Sequence, residues 1–555
     1  MNKILKFVLA ACFVIALGSC EKWLDVNENP NVPTTAELDK LLPFSEVYMA
    51  ASMSQGNFIG NNLSSYVHQL VSREVQNYGM DAQANNPFNS WNYMYRYVLT
   101  DFDAIIAQAK PDGNMIYAGI AQTLKAYTFS VMVDLWGDVP YSEFNVEGVN
   151  APKLDNSKDI YNNLIALLEE AKANLEDATA ANLLKPGSDD FFYAGNAEKW
   201  IRLNNTLKLR LLLQSRKAKS DITGWQSKLD ALITDNKFIA SGEDFQFMYN
   251  AVNSPADERH PAYSAEYNGG QVTYYISPFF YEIMAGSTLN VTDNPFSGIS
   301  DPRIPYYFYN QLTGEEDAEN FHEYRNGNFM SIFFASNSSN SASANDASLT
   351  KVGLYLCGGA YEDGKGTTIT QFRQGNGVAP HKMITYAALK FMLAELALAG
   401  ETSGDAKVLL SEGITEAVKH VNSVAAKQTG VPTISAADIT AFVDAVLAKY
   451  DAADAAGKLR IVMTQKWIHN VLNPIDSYND YRRTGYPTLF DPQKTQDPGS
   501  GVNPTVTDRS PARVPLQNFA SYPRSLYYPT SSETTLNPNV KQKTNLSTPF
   551  VFWDK

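Results

Sequence analysis

Tyr267, Asn268, Tyr274, Tyr275 and Tyr324, with Arg259 and Arg325, bring aromatic rings, an amide and guanidinium groups together between positions 259 and 325. A sugar offers flat C–H faces and a rim of hydroxyls. It is held by exposed aromatic platforms ringed with polar groups, a variant of the apolar pocket with a few convergent polar side chains. Tyr, Asn and Arg serve an oligopeptide equally well, so these residues leave both ligand classes open. Tyr78, between Asn77 and Met80 in a loop joining two helical stretches, is a second candidate contribution. Trp91 nearby belongs to the core instead, because it begins a helix with Tyr95 and Val98 on the same side.

Other chemistry finds little support. Gly359 to Lys365 has the spacing of a phosphate loop, yet Gly366 stands where a Ser or Thr should hold magnesium. Asp25, Asn27 and Asn29 imitate the opening of a calcium loop, but Pro30 replaces its glycine and Ala36 its closing glutamate. His68, His260, His322, His381, His420 and His469 are scattered, none in a His-Glu-x-x-His pattern, so neither a metal site nor a cofactor is indicated. Carboxylate neighbours such as Asp257-Glu258 are ordinary in an acidic chain and a poor warrant for glycosidase chemistry, which needs a set spatial separation. Gly-x-Ser-x-Gly is missing too.

The elements that must position these groups begin after residues 1–19. Those residues carry Lys3 and Lys6, an apolar run from Phe7 to Leu17, and small Gly18 and Ser19, the three parts of a secretory signal. Leu17-Gly18-Ser19-Cys20 resembles a lipobox, which implies that Cys20 carries lipid and that residues 20–555 form the mature protein. Several acyl chains, each worth about 0.8 kcal/mol per buried methylene, anchor it stably. Cys357 is then left without a disulfide partner, so stability must come from a core. A composition of 44% hydrophobic and 19% charged residues suits one. The formal net charge of −14 becomes −16 once Lys3 and Lys6 leave, a balance that repels phosphate backbones and makes nucleic acid a poor partner.

Between about 36 and 240 apolar residues recur at helical spacing, as in Val98, Phe102, Ile105, Ile106 and Ala109, or Ile116, Ile120, Leu124, Tyr127, Val131 and Leu135. The pattern returns over about 382–472, where Met383 to Ala399, Lys407 to Val424, Ala437 to Lys449 and Lys458 to Leu472 read as helices. The loop-rich stretch between, about 250–375, holds eleven of the 31 tyrosines, and long aromatic loops tend to be functional. Asn337 to Ala347, almost all Ser, Asn and Ala, reads as an exposed loop. From about 474 to 555 the chain is irregular again. Stacked helix pairs suggest a solenoid, although no 34-residue tetratricopeptide signature repeats.

Asp134-Leu135-Trp136-Gly137-Asp138-Val139-Pro140-Tyr141-Ser142 resembles a signature of the SusD/RagB-like outer-membrane lipoproteins of Bacteroidetes. The match continues through Cys20 to Asn27, Trp200 to Arg210, Asp301-Pro302-Arg303, Tyr386 to Glu395, Asp480 to Pro487 and Pro523-Arg524, covering essentially the whole mature chain. One departure is Ala388, where members often carry Glu. The resemblance implies an all-α fold of tetratricopeptide-like helix pairs with a loop-rich portion holding the ligand. It also implies a non-catalytic surface lipoprotein that captures a nutrient, most simply an oligosaccharide, for a SusC-like TonB-dependent transporter. An oligopeptide receptor of the same architecture is the main alternative, and a lipid-anchored hydrolase a further one. The motifs have physical readings as well. Trp136, Gly137 and Pro140 spell a helix stop, and Arg482 and Arg483 beside Asp480 suit a fork tying neighbouring elements together.

Overall fold

Asn156, Asn196, Asp405, Ser435 and Asp454 each stand before a run of apolar-periodic residues. In the computed structural model each caps the helix that follows by accepting a backbone N–H, as Asn156 does from Lys158 and Asp454 from Gly457. The structure describes residues 36–54, 59–72, 88–268, 272, 274–289, 291, 293–313, 324–332, 334, 347–489 and 522–555. Cys20, Asn77, Tyr78, Met80 and nearly all of Asn337 to Ala347 lie outside them.

The N-terminal helices are α1 (Leu38–Met53), α2 (Ile59–Tyr66), α3 (Phe88–Tyr93), α4 (Thr100–Ala109), α5 (Met115–Trp136), α6 (Ser157–Glu176), α7 (Ala197–Gln214) and α8 (Trp225–Asp235). Short helices α9 (Pro261–Glu266), α10 (Pro278–Ala285), α11 (Ile304–Tyr307) and α12 (Leu354–Cys357) punctuate the middle. The C-terminal set is α13 (Tyr386–Leu398), α14 (Ala406–Ala425), α15 (Ala436–Ala452), α16 (Ala455–His469) and α17 (Pro474–Thr484). Helices α4 to α7 pack each on the next, as do α13 to α16, and α7 against α13 joins the two layers. The fold is all-α, about 51% helical.

Helix α5 is buried on almost every side. Gly137 ends it at φ 80°, and a Cβ there would meet the Phe550 carbonyl, so glycine serves both the turn and the close approach. Met94–Leu99, between α3 and α4, is a π-helix rather than part of a continuous α-helix. Met383 and Ile384, read as helical from their apolar run, lie in a strand. Pro380–Ile384 pairs antiparallel with Phe245–Met248, and the helix starts only at Tyr386 under the Thr385 cap.

Among the described residues three more two-stranded antiparallel pairs form: Leu70–Ser72 with Tyr274–Ile276, Phe308–Tyr309 with Lys351–Val352, and Tyr324–Asn326 with Phe329–Ser331. Their two- and three-residue strands are too short to show an alternating pattern.

The motifs converge on one buried seam. Asp134, at the end of α5, accepts hydrogen bonds from Tyr161, from Trp553 Nε1 at 3.0 Å, from Asn479 at 3.0 Å and from Arg210 at 3.4 Å. Arg210 also forks onto Asp476 at 2.7 and 3.0 Å. Arg482 bonds Asn479 at 2.7 Å and the Arg524 carbonyl at 2.8 Å, while Arg483 pairs with Glu395 and with Asp480 at 2.6 Å. Arg482 and Arg483 are thus scaffold, tying α17 to α5, α13 and the C-terminal segment.

Candidate functional site

Phe44 and Tyr48 stand one turn apart on α1, and Tyr93 and Tyr97 are spaced the same way across the junction of α3 and the π-helix. Trp91, Met94 and Val98 point into the core, so Tyr93 and Tyr97 fall on the outer side, where α1 packs against them. Ring centroids lie 4.5 Å apart for Phe44 and Tyr48, 4.8 Å for Tyr48 and Tyr97, 5.2 Å for Tyr48 and Tyr93, and 5.4 Å for Tyr93 and Tyr97. Such tilted and edge contacts are favoured by the ring quadrupole and hold the cluster together by about 0.5–1.5 kcal/mol per pair. Phe44 keeps 42% of its surface exposed and Val47 beside it 40%. The exposed Arg96 guanidinium lies 5.3 Å from the Tyr97 ring centre.

Several tyrosine hydroxyls are committed inside the protein. Those of Tyr95, Tyr117, Tyr161, Tyr193, Tyr267 and Tyr306 donate to protein oxygens. The hydroxyls of Tyr48 and Tyr97 make no hydrogen bond among the described residues. Partly exposed rings with hydroxyls left for an outside partner are what a carbohydrate surface requires. The π-helix beneath them, an element frequent at functional sites, closes with the Thr100 amide and hydroxyl both bonding the Tyr95 carbonyl. Sequence reading missed this patch because it weighed only the inward face of each helix. Two aromatic pairs at i, i+4 on the polar side were the available signal.

The residues singled out from the sequence do not form such a surface. Tyr267 is fully buried, donates to the Val352 carbonyl at 2.6 Å, accepts from the Ala360 amide at 2.9 Å and stacks on Tyr263 at 4.9 Å. Tyr324 is also fully buried and donates to Glu282 at 2.9 Å. Tyr274 and Tyr275 sit in the strand opposite Ser72 and Val71, and both are buried. Their reading as exposed platforms is corrected: each phenol hides its ring and, in Tyr267 and Tyr324, satisfies its hydroxyl inside. Arg259 is pinned by a fork onto Asp257 at 2.8 and 2.9 Å and lies 4.0 Å from the Phe372 ring centre. Asn268 is exposed, and half-buried Arg325 donates to the Gly327 carbonyl at 3.2 Å. The structure brings none of these next to the aromatic patch.

A cavity of about 310 Å³ opens between the strand 245–248 and α14, lined by Asp244, Gln246, Tyr386, Glu416, Lys419 and His420 among others. Behind it His420 bonds Gln246 and Tyr355 at 2.8 Å each, and buried Lys382 reaches the Tyr355 hydroxyl at 3.3 Å and the His469 carbonyl at 2.5 Å. Burial pushes His420 down to about 3, so the ring is neutral and acts as a hydrogen-bonding spacer. Among the described residues no group of three or more His, Cys, Asp or Glu is placed to hold a metal ion, and no helix is long and apolar enough to cross a membrane.

Comparison with known proteins bears on the fold and on the motifs along the buried seam. A SusD-like family model, described as starch-binding and associating with the outer membrane, matches residues 30–507. A SusD homologue from Bacteroides fragilis superposes with a TM-score of 0.67 at 17% identity, covering 94% of this chain and 100% of its own. A SusD/RagB family protein from Bacteroides thetaiotaomicron gives 0.63 at 21% identity, covering 94% and 99%. A chitin-binding SusD homologue from Flavobacterium johnsoniae gives 0.58 at 18% identity, covering 93% and 98%. The search of curated proteins returns no match. A family match over most of the chain, on a fold shared from end to end with solved members, establishes that the protein belongs to the SusD-like family.

Proposed function

We propose that this protein is a non-catalytic receptor, lipid-anchored at Cys20 on the outer face of the outer membrane. In this reading it captures a neutral oligosaccharide and passes it to a SusC-like TonB-dependent transporter. The observation that carries the ligand class is the aromatic patch of Phe44, Tyr48, Tyr93 and Tyr97, with two uncommitted hydroxyls and a neighbouring guanidinium. Ring faces carry negative partial charge and attract the polarised C–H groups of a pyranose face. The family's starch-binding description agrees with this chemistry.

Calorimetric titration with malto- and chito-oligosaccharides, and with oligopeptides of matched length, tests the reading. Saturable glycan binding without product formation is expected. The double substitution Tyr48→Ala and Tyr97→Ala is expected to weaken it about tenfold, the 1.4 kcal/mol that losing two ring contacts implies. Affinity unchanged in the double variant would move the site elsewhere, peptide-only binding would replace the ligand class, and turnover would make the protein an enzyme. Cys20→Ala is expected to shift the protein from the membrane to the soluble fraction, and its retention on membranes lacking the transporter would defeat the lipid anchor.

A further inference from the structure

Where α17 ends at Gly485, the 3-10 turn Arg216–Asp221 and the C-terminal segment from Tyr522 border an open cavity of about 600 Å³. Among the described residues its wall carries Lys217, Arg482, Arg483 and Arg524 and no carboxylate, in a chain whose net charge is −14. The acids that pair with these cations lie behind the wall. Glu395 and Asp480 hold Arg483, and Asp554, with no exposed side-chain surface, accepts from Arg524 at 3.0 Å and lies 3.8 Å from Arg482.

Two cationic groups retain unused capacity. Lys217 is exposed and makes no ion pair or hydrogen bond among the described residues, although Arg216, Arg483 and Arg524 surround it. Burial of its stem lowers its affinity for a proton, and repulsion from Arg216 and Arg483 outweighs the attraction of Asp554. Arg482, more than nine-tenths buried, has its two terminal nitrogens bonded while Nε has no partner among the described residues. An unpartnered buried donor is costly, and an anion drawn into the cavity would relieve the surrounding field.

The remaining wall narrows the ligand. Tyr481 and Tyr522 present rings whose centroids are 4.7 Å apart, and Thr484 and Ser547 add hydroxyls. The volume is many times that of an inorganic anion. We propose that this cavity binds an acidic saccharide, with the carboxylate of a uronic acid residue received by Lys217 and the arginine wall. The site is separate from the aromatic patch and does not depend on what that patch binds.

Trigalacturonate and its neutral methyl ester share one saccharide backbone and differ in charge and in the added methyl groups, and calorimetry on the full mature chain reads both. The free acid is expected to bind at least about tenfold more tightly than the ester, and its affinity should fall as salt is raised. Lys217→Gln is expected to weaken the acid about fivefold without moving the melting temperature, because an exposed, unpaired lysine contributes little to folding. The Tyr48→Ala and Tyr97→Ala double variant should bind the free acid like wild type, which keeps this site distinct from the neutral-glycan reading. Equal binding of acid and ester, no binding of the acid, or an unchanged Lys217→Gln would overturn the proposal. Equal affinity for a peptide of the same charge would show that the site recognises a carboxylate without its sugar and would overturn the assignment of ligand class.

Discussion

Asp134→Ala is expected to destabilise the protein by about 3–5 kcal/mol, the usual cost of removing one partner from a buried ionic group. Asp134 is fully buried and accepts from Tyr161, Trp553, Asn479 and Arg210 together. Its loss leaves those donors facing a cavity and leaves Arg210 with Asp476 as its single carboxylate partner. Alanine offers no acceptor, and water cannot reach a site closed by α5, α7, α17 and the C-terminal segment. Chemical denaturation checks the magnitude. A loss below about 1 kcal/mol would mean that the donors find other partners, contrary to the geometry. The double variant of Asp134→Ala with Trp553→Phe should cost less than the two single changes added, because the pair shares one hydrogen bond.

Stability is also expected to rise with pH above neutrality because of Lys382. Burial, with Arg303 adding, pushes this lysine down to about 7 from its ordinary 10.5. Below about 7 both folded and unfolded states hold the proton, and the folded state bears a buried ammonium. Between about 7 and 10.5 the unfolded chain still binds a proton that the folded one has released. Stability therefore climbs with pH through that window, by about 1.4 kcal/mol for each unit separating the two values. Asp244 works the other way and at lower pH. Burial holds its carboxyl up to about 6, so stability falls as pH rises from about 4 to 6. The charged groups around Lys382 are Arg303 and Asp244, and the neighbouring His420 and His469 are kept neutral by burial. Urea unfolding of wild type and Lys382→Met on both sides of neutrality isolates the lysine. A wild-type deficit against the variant that does not shrink with rising pH would sink the argument.

Helix periodicity made most of the scaffold legible in the sequence, even for α5, where burial on all sides blurs the stripe that Ile120, Leu124, Tyr127 and Val131 still mark. Trp91 was legible as core, and its indole indeed donates to Glu533 at 2.8 Å from a buried position. The strand at Met383 and Ile384 was not legible, since an apolar run entering a helix looks continuous until a distant partner, Phe245–Met248, claims its backbone. The tyrosines of the middle region misled for a related reason. A phenol suits an exposed platform and a hydrogen-bonded core equally, and what decides is an acceptor such as Val352 O, 85 positions from Tyr267. The basic cavity draws Lys217 and Arg524 from distant parts of the chain, so no local pattern announces it.

The acceptor at Asp134 and the indole of Trp553 that it binds are 419 positions apart. A ribosome delivers the first long before the second, so the growing chain carries Asp134 and Arg210 as a half-closed lock until Trp553 arrives. The seam between the helical layers therefore closes only when residues far along the chain are in place, and removing the segment that carries Trp553 would cost more stability than its length suggests. The arrangement makes closure of the interior depend on Trp553 and Asp554, so the helical layers and this distant segment are secured together.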